Sequence, residues 1–262
     1  MRVEADFAGR QIRGAREAQE DHYSFCPLLT HTDGFDGVLL ALADGMGGYA
    51  GGSLASRLVV EAFIENFCFT HGTIPDRLLS SLQASERRLQ EEIARRGETL
   101  SQMGSTLLGV VWTRGQLHWV SVGDSVLFLY RRGTLRRLNA DHSMVPVLRE
   151  AAARGQITPE QAATHPDRSV LRSAIAVKPV EMYELRDLPF SLEPGDIILA
   201  ASDGINSVRV EILVQILAAN ADRSAECIAD RLLHAVKEAR NQRQDNTTIA
   251  VLHNPLPSLS KV

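Results

Sequence analysis

The chain has 262 residues, 44% hydrophobic and 23% charged, with a formal net charge of −4. Such a composition fits an ordinary globular protein of one large or two small domains, and the acidic balance argues against a surface built for nucleic acid or an anionic membrane. Met1 to Asp6 lacks the apolar stretch of a secretory signal, no apolar run reaches the roughly 18 residues of a membrane span, and Cys26, Cys68 and Cys227 have no CxxC or Cys/His spacing, which together argue against a disulfide framework or zinc site and for a reducing cytoplasm.

Residues 3–13 alternate loosely, as a strand does. Gly14 to Asp21 follows as a loop with Arg16, Glu20 and Asp21, which taken alone reads as solvated charge. Tyr23-Ser24-Phe25 resumes a strand, and residues 30–37 form a polar turn. The run Val38 to Ala43 is a buried strand that ends in Asp44, and five glycines fall within the next eight residues. A helix is expected from Ser53, which suits an N-cap, with Leu54, Leu58, Ala62 and Phe67 on a buried stripe. A carboxylate delivered into a glycine loop at a helix start fits an ion or phosphate site, and it equally fits a strained strand–helix turn. Cys68 lies on this helical pattern and reads as a small core residue.

Pro75-Asp76 opens a second helix with Leu78, Leu82, Leu89 and Ile93 inward, while Glu86, Arg87, Arg88, Glu91 and Glu92 read as a solvated face. From Gly104 the period changes to strands. Residues 107–113 and 117–122 flank a turn at Arg114-Gly115-Gln116, and residues 126–130 and 134–138 flank another at Arg131-Arg132-Gly133. Trp112 and Trp119 on neighbouring strands read as packing. Residues 141–176 form a polar excursion with a short helix at Thr158-Pro159-Glu160-Gln161, the kind of segment that acts as a flap. Within it His142 and His165 read as structural, with His142 able to orient the flap. The strand Ile197 to Ala201 ends in Ser202-Asp203-Gly204, helices are expected over 208–219 and 224–239, and Gln244-Asp245-Asn246 precedes a last strand, 247–252. The tail 254–262 shows no pattern and is expected to fray.

These blocks predict an α+β fold with antiparallel sheets and helices outside, rather than a parallel doubly wound sheet. Asp44, Asp124 and Asp203 each end an apolar strand beside a glycine, and Asp245 sits just before a strand. Strand ends are rigid, so they can aim carboxylates at a common point. Clustered, buried carboxylates cost on the order of several kcal/mol each unless a cation neutralises them. An all-oxygen donor set selects Mn²⁺ or Mg²⁺ over zinc, and a pair of such ions activates water toward phosphorus.

On these motifs the sequence resembles the PPM/PP2C family of metal-dependent Ser/Thr protein phosphatases over about residues 5–253. Arg16…Glu20-Asp21, Asp44-Gly45-Met46-Gly47-Gly48, Gly104-Ser105-Thr106 and Gly123-Asp124-Ser125 are similar to the family's motifs. So are Asp141-His142-Ser143, Ile157 to Glu160, His165 to Arg168, Ser202-Asp203-Gly204 and Asp245-Asn246, all in the family's order. The resemblance implies a four-layer α-β-β-α sandwich in one domain (1–253), with a flap near 141–176 and a C-terminal tail (254–262). It further implies that Asp44 bridges two metals, Mn²⁺ or Mg²⁺, with the Gly45 carbonyl on one of them. Asp203 and Asp245 would bind the first metal and Glu20 and Asp21 the second, directly or through water. Arg16 would hold the substrate phosphate bidentately. Asp124, with Asp203, would hold a weaker third metal.

The implied reaction is hydrolysis of phosphoserine and phosphothreonine by a metal-activated water. The implied partner is a phosphorylated protein, a Ser/Thr kinase or its targets, with no nucleic acid, no membrane and a monomeric chain. Two other classes compete. A catalytically silent relative acting as a regulatory binding module would be expected to lose metal ligands, yet Asp44, Asp203 and Asp245 all remain. A metal-dependent nuclease would need a basic stripe, which is absent.

Two positions depart from the family. Val126 stands where the family has Arg, which predicts a lost polar contact near Asp124. Tyr49 stands where the family has His, a general acid for the leaving alkoxide, and a phenol with a pKa near 10 is poorly tuned for that task at neutral pH. Tyr49→His is therefore expected to raise turnover and shift its pH profile, read by steady-state phosphatase kinetics between pH 6 and 9; unchanged kinetics would sink the general-acid argument.

Overall fold

Every side chain from Val38 to Ala43 is buried, so the strand that carries them must be covered on both faces. The structure, a computed structural model that describes residues 6–29, 35–48, 50–97, 102–113 and 115–254, shows how. Successive side chains of a strand point to opposite faces. Leu39, Ala41 and Ala43 pack under two helices, whereas Val38 and Leu40 pack against a second sheet.

In chain order the elements are β1 (Phe7–Ile12), β2 (Asp21–Leu29), β3 (Phe35–Met46), α1 (Ala50–Phe69), α2 (Ile74–Arg96), β4 (Gly104–Ser105), β5 (Leu107–Thr113) and β6 (Gln116–Val122). There follow β7 (Val126–Arg131), β8 (Thr134–Arg137), α3 (Val145–Ala153), α4 (Pro159–Ala163), β9 (Glu184–Leu185), β10 (Phe190–Ser191), β11 (Ile197–Ala201), α5 (Val210–Ala219), α6 (Ala225–Glu238) and β12 (Thr247–His253). One sheet runs β1-β12-β11-β7-β8; the other runs β10-β6-β5-β3-β2, with β4 beside β3 and β9 beside β6. The pairings between these strands are antiparallel.

Three apolar layers hold this together. Phe63, Phe67, Leu78, Leu82 and Leu89 of α1 and α2 cover the outer face of the second sheet. Leu213, Leu217, Ile228, Leu232 and Val236 of α5 and α6 cover Ile197, Leu199 and Ala201 on the first. Between the sheets lie Trp112, Trp119, Leu108, Val110, Leu127, Leu129, Ile198 and Ala250. The result is the expected α-β-β-α sandwich, and the two tryptophans do pack. Among the described residues no helix is long and apolar enough to cross a membrane.

Several local expectations need correction. Helix α1 begins at Ala50, so Ser53 lies inside its first turn and is not the cap; the glycines at 51 and 52 let the helix start pressed against the end of β3. Residues 145–153, part of the polar excursion in which no helix was expected before Thr158, form α3, with Pro146 in the first turn and a single buried anchor, Leu148. Glu92 is buried and not on a solvated face, because both Arg95 and Arg96 fold over its carboxylate. These two guanidinium groups hold its carboxyl at about 2, well below the usual range. Cys68 is exposed and not a core residue. The α4 capping box is as read, and α6 is capped by Ser224, whose side chain accepts from the Cys227 N–H. Most of the turn at 30–37, Tyr49, Arg114 and the tail from 255 onward lie outside the described residues.

The seat of α1 on the sheet depends on Gly109 of β5, where an added Cβ would lie 2.3 Å from Cζ of the fully buried Phe63. Gly109→Ala is expected to destabilise the fold by about 1–3 kcal/mol through overpacking, and less in a Phe63→Leu background. Urea denaturation of the two single variants and the double variant measures this; simple additivity would refute the contact.

Candidate active site

The seam where the two sheets meet gathers the acidic residues. Asp21 is the first residue of β2 and sits opposite Asp44 on β3, with Glu20 immediately before it. Asp124 occupies the turn from β6 to β7, which passes from one sheet to the other. Asp203 opens a single 3₁₀ turn just after β11, and Asp245 stands two residues before β12. Arg16, on the loop between β1 and β2, completes the set. Arg16, Glu20, Asp44, Gly45, Asp124, Asp203 and Asp245 all line one cavity of about 570 Å³. Asp21 stands behind this wall, and its Oδ2 accepts hydrogen bonds from Ser202 Oγ at 2.7 Å and Thr248 Oγ1 at 2.8 Å.

Neutral groups around the carboxylates fix their positions. Asn246 Oδ1 accepts from the Glu20 N–H at 2.7 Å, while its Nδ2 donates to the Arg13 and Ala18 carbonyls at 2.7 and 3.0 Å. One side chain thus pins the loop that bears Arg16 and Glu20. Ser56 of α1 donates to the Glu20 carbonyl at 2.5 Å, and Thr106 Oγ1 accepts from the Asp44 N–H at 2.9 Å. Gly45 has no room for a side chain, because a Cβ there would lie 2.0 Å from the Gly52 carbonyl oxygen. The glycine loop therefore brings the start of α1 onto the end of β3.

Burial and crowding disturb these acids in one direction. Burial, then Asp21, Asp203, Asp124 and Asp245, pushes the Asp44 carboxyl well above the usual carboxylate range. Burial and the nearby Asp124 and Asp245 push Asp203 up to about 7. Asp124 rises to about 6 through burial and Asp141. Asp21 also rises to about 6 through burial, against the Ser202 and Thr248 hydrogen bonds. Burial raises Glu20, opposed by Arg16. Arg16 Nη2 pairs with Asp245 Oδ2 at 2.5 Å, which leaves a guanidinium at the rim of the acidic cavity.

This donor set fits a hard divalent cation. Glu20 Oε1, Asp21 Oδ1 and Asp203 Oδ1 are buried without a hydrogen-bond partner, an expensive arrangement unless a cation satisfies them. Every candidate donor is oxygen, which favours Mn²⁺ or Mg²⁺. Among the described residues no three acidic, His or Cys side chains close on one point as a metal cage would. The carboxylates stand instead around an open cavity, as a site that also admits water and substrate requires.

Some of these parts were invisible in the sequence. The polar contact expected to vanish with Val126 is supplied from β8: Arg137 Nη2 donates to the Asp124 carbonyl at 3.0 Å and Nη1 to Asp141 Oδ2 at 3.0 Å. Ser56 likewise gave no signal. Asn246 was marked only by its neighbour Asp245.

The excursion 141–176 reaches the cavity through Ser169, Val170, Leu171 and Ala174. It is tied down by His142, whose Nδ1 accepts from the Gly123 N–H at 3.2 Å and whose carbonyl accepts from the Arg172 N–H at 2.7 Å. His142 therefore links the Asp124 turn to the flap. His165 Nδ1 accepts from the Asp167 N–H at 3.1 Å, a local structural role.

Comparison with known proteins agrees with this geometry. The family model described as protein phosphatase 2C matches residues 9–236. A Streptococcus pyogenes protein named as a 2C-type protein phosphatase is 33% identical over 226 residues, 83% of this chain and 86% of its own length. The serine/threonine protein phosphatase PstP of Mycobacterium tuberculosis is 37% identical over 175 residues, 64% of this chain and 32% of PstP. A crystal structure of the PstP catalytic domain in complex with two manganese ions superposes with a TM-score of 0.72 at 28% identity, covering 94% of this chain and 96% of that one. A family model spanning most of the chain, a relative matched over most of both lengths and a shared fold lead to one conclusion: this chain belongs to the protein phosphatase 2C family of serine/threonine phosphatases.

Proposed function

We propose that this chain, acting through one domain over residues 1–253, hydrolyses phosphoserine and phosphothreonine in proteins with water as the nucleophile. The observation that carries the reading is the set of unpartnered buried carboxylate oxygens on Glu20, Asp21 and Asp203 around a cavity with Arg16 at its rim. Asp44, the Gly45 carbonyl, Asp203, Asp245 and Glu20, with Asp21 behind them, would hold two Mn²⁺ or Mg²⁺ ions, and Asp124 with Asp203 a weaker third. Bound there, the cations supply positive charge to the phosphate and lower the pKa of water into the neutral range.

The protein's own residues do the rest. Arg16 exchanges its Asp245 partner for two phosphate oxygens, a geometry that suits a guanidinium. As water adds to phosphorus, the P–O bond to the serine or threonine oxygen breaks and that oxygen takes up a proton. Val170 and Leu171 of the flap form an apolar part of the wall beside the carboxylates. A Ser/Thr kinase or its targets in the cytoplasm supplies the substrate, and the chain works as a monomer. The retained acidic set disfavours a silent binding module.

Asp203→Asn or EDTA is expected to abolish hydrolysis of a phosphothreonine peptide, and Arg16→Ala to lower kcat/KM by about 100-fold, with Arg16→Lys recovering only part. Steady-state assays with Mn²⁺ measure both; full activity in EDTA would refute the metal requirement.

The acidic cluster also sets a pH dependence. Asp203 at about 7 and Asp21 and Asp124 at about 6 lie above the range near 4 of an unfolded aspartate. The folded metal-free form binds these protons more tightly, so this contribution is present at low pH and lost as pH rises through about 6 to 7. His22, His142 and His253, held low by burial, act in the opposite direction over the same window. The cluster is therefore read from the difference between wild type and Asp203→Asn in EDTA. The variant is expected to gain stability relative to wild type between pH 5 and pH 8 in thermal denaturation, and Mn²⁺ to stabilise wild type more at pH 8. A pH-independent difference would overturn this.

A further inference from the structure

Helix α1 and strand β2 run side by side away from the active site, and a contact at each end marks their alignment. At the near end Ser56 Oγ donates to the Glu20 carbonyl. At the far end Cys68 Sγ lies 3.3 Å from Cys26 Sγ. Twelve helical residues from Ser56 to Cys68 span about 18 Å, and six strand residues from Glu20 to Cys26 about 20 Å. The two elements therefore keep step along their length, and the thiols meet because the packing places them together.

The surroundings favour chemistry at this pair. Cys68, in the last turn of α1, is exposed, and Cys26 is half-buried. Cys68 opens on a cavity of about 540 Å³ shared with His22, Ser24, Glu61, Glu65 and Phe69. Arg77 of α2 is fixed nearby: its Nε and Nη2 donate to the Phe67 carbonyl at 3.1 and 2.6 Å, and its guanidinium stacks 3.9 Å from the Phe67 ring centroid. The last turn of α1, which carries Cys68, is thereby held in place beside β2.

We propose that Cys26 and Cys68 are a redox modification site, oxidised by hydrogen peroxide to a reversible disulfide that ties the far end of α1 to β2. The exposed Cys68 thiolate attacks a peroxide oxygen. The O–O bond breaks, hydroxide leaves and takes a proton to become water, and Cys68 becomes a sulfenic acid. The Cys26 sulfur then attacks Cys68, the S–S bond forms, the S–O bond breaks and a second water leaves. Both sulfurs are oxidised and the peroxide is reduced to two waters. Burial first, and then the Cys68 thiol itself, push the Cys26 thiol up to about 11, while Arg77 opposes them. Oxidation of Cys68 removes its own share of that effect just when Cys26 must lose its proton. A thiol reductant reverses the cross-link by exchange.

The test treats the full-length protein with hydrogen peroxide. Titratable thiols are expected to fall from three to one. Peptide mapping should join the Cys26 and Cys68 peptides, and dithiothreitol should restore all the thiols. The cross-link should persist in Cys227→Ser and vanish in Cys26→Ser and Cys68→Ser, each checked for native circular dichroism. Dimedone should label Cys68 durably in Cys26→Ser and leave Cys26 unlabelled in Cys68→Ser. The oxidised protein should melt higher than the reduced one by on the order of 5 °C. Cys68 sulfinic acid with Cys26 free in wild type, a cross-link through Cys227, or an unchanged melting temperature would overturn the proposal. Thiol titration and mapping of the wild type decide even if a variant fails to fold.

Discussion

Five carboxylates around one water-accessible cavity repel one another, and the fold is arranged to hold them there regardless. Asp44 carries the burden most plainly, since burial and four acidic neighbours all disfavour its charged form. Such a cluster can be built only where the backbone beneath it is stiff. Both sheets supply that stiffness: β2 and β3 bring Glu20, Asp21 and Asp44, the flanks of β11 and β12 bring Asp203 and Asp245, and the turn between the sheets brings Asp124. The apolar layer between the sheets therefore matters to the chemistry, because it fixes the distance across the seam.

Neutral hydrogen bonds turn that stiffness into positions. Asn246, Thr106, Ser56, Ser202 and Thr248 each grip a backbone group or a carboxylate oxygen of the acidic residues. The oxygens left unpartnered on Glu20 and Asp203 belong to residues on its wall, and the one on Asp21 stands just behind. Backbone held by hydrogen bonds, with carboxylate oxygens left unpartnered, is what a cation site requires, because its ligands must be both oriented and free to coordinate. Arg16 moderates the field at the rim, where its guanidinium pairs with Asp245.

Much of this was legible in the residues. Val38 to Ala43, Ile197 to Ala201 and the hairpins from 107 to 137 declared their period, and Asp44, Asp124, Asp203 and Asp245 were marked by their places at a strand end beside glycine or before a strand. Glu20 and Asp21, by contrast, read on their own as solvated charge and stood out only through the family resemblance. What escaped depended on distant parts of the chain. Ser53 looked like a cap because local pattern favours it, but Gly51 and Gly52 let the helix begin earlier against β3. Residues 145–153 form a helix on one buried leucine, too weak a period to stand out. Glu92 looked solvated because nothing in a one-dimensional pattern shows two arginines folding back over it. Arg137 took the place of a contact that Val126 had removed, a substitution visible only once β8 lies beside the Asp124 turn. Cys68 kept the helical period of α1 yet is exposed, because it lies against Cys26 of β2, the edge strand of its sheet.

The same contrast explains why α1 can carry both an active-site contact and one of the two paired thiols without the two interfering. At its start the helix is held by backbone: no side chain fits at Gly45, and Ser56 fastens the Glu20 carbonyl. At its end it is held by side chains, with Arg77 on the Phe67 carbonyl and Cys68 against Cys26. A change in the second set acts on the last turns of α1 and the middle of β2, where neither element carries a residue of the cavity wall. The first set stays in place because its geometry is fixed by close backbone approach. A bond between the sulfurs would thus strengthen the docking of α1 while the carboxylates remain governed by the seam between the sheets.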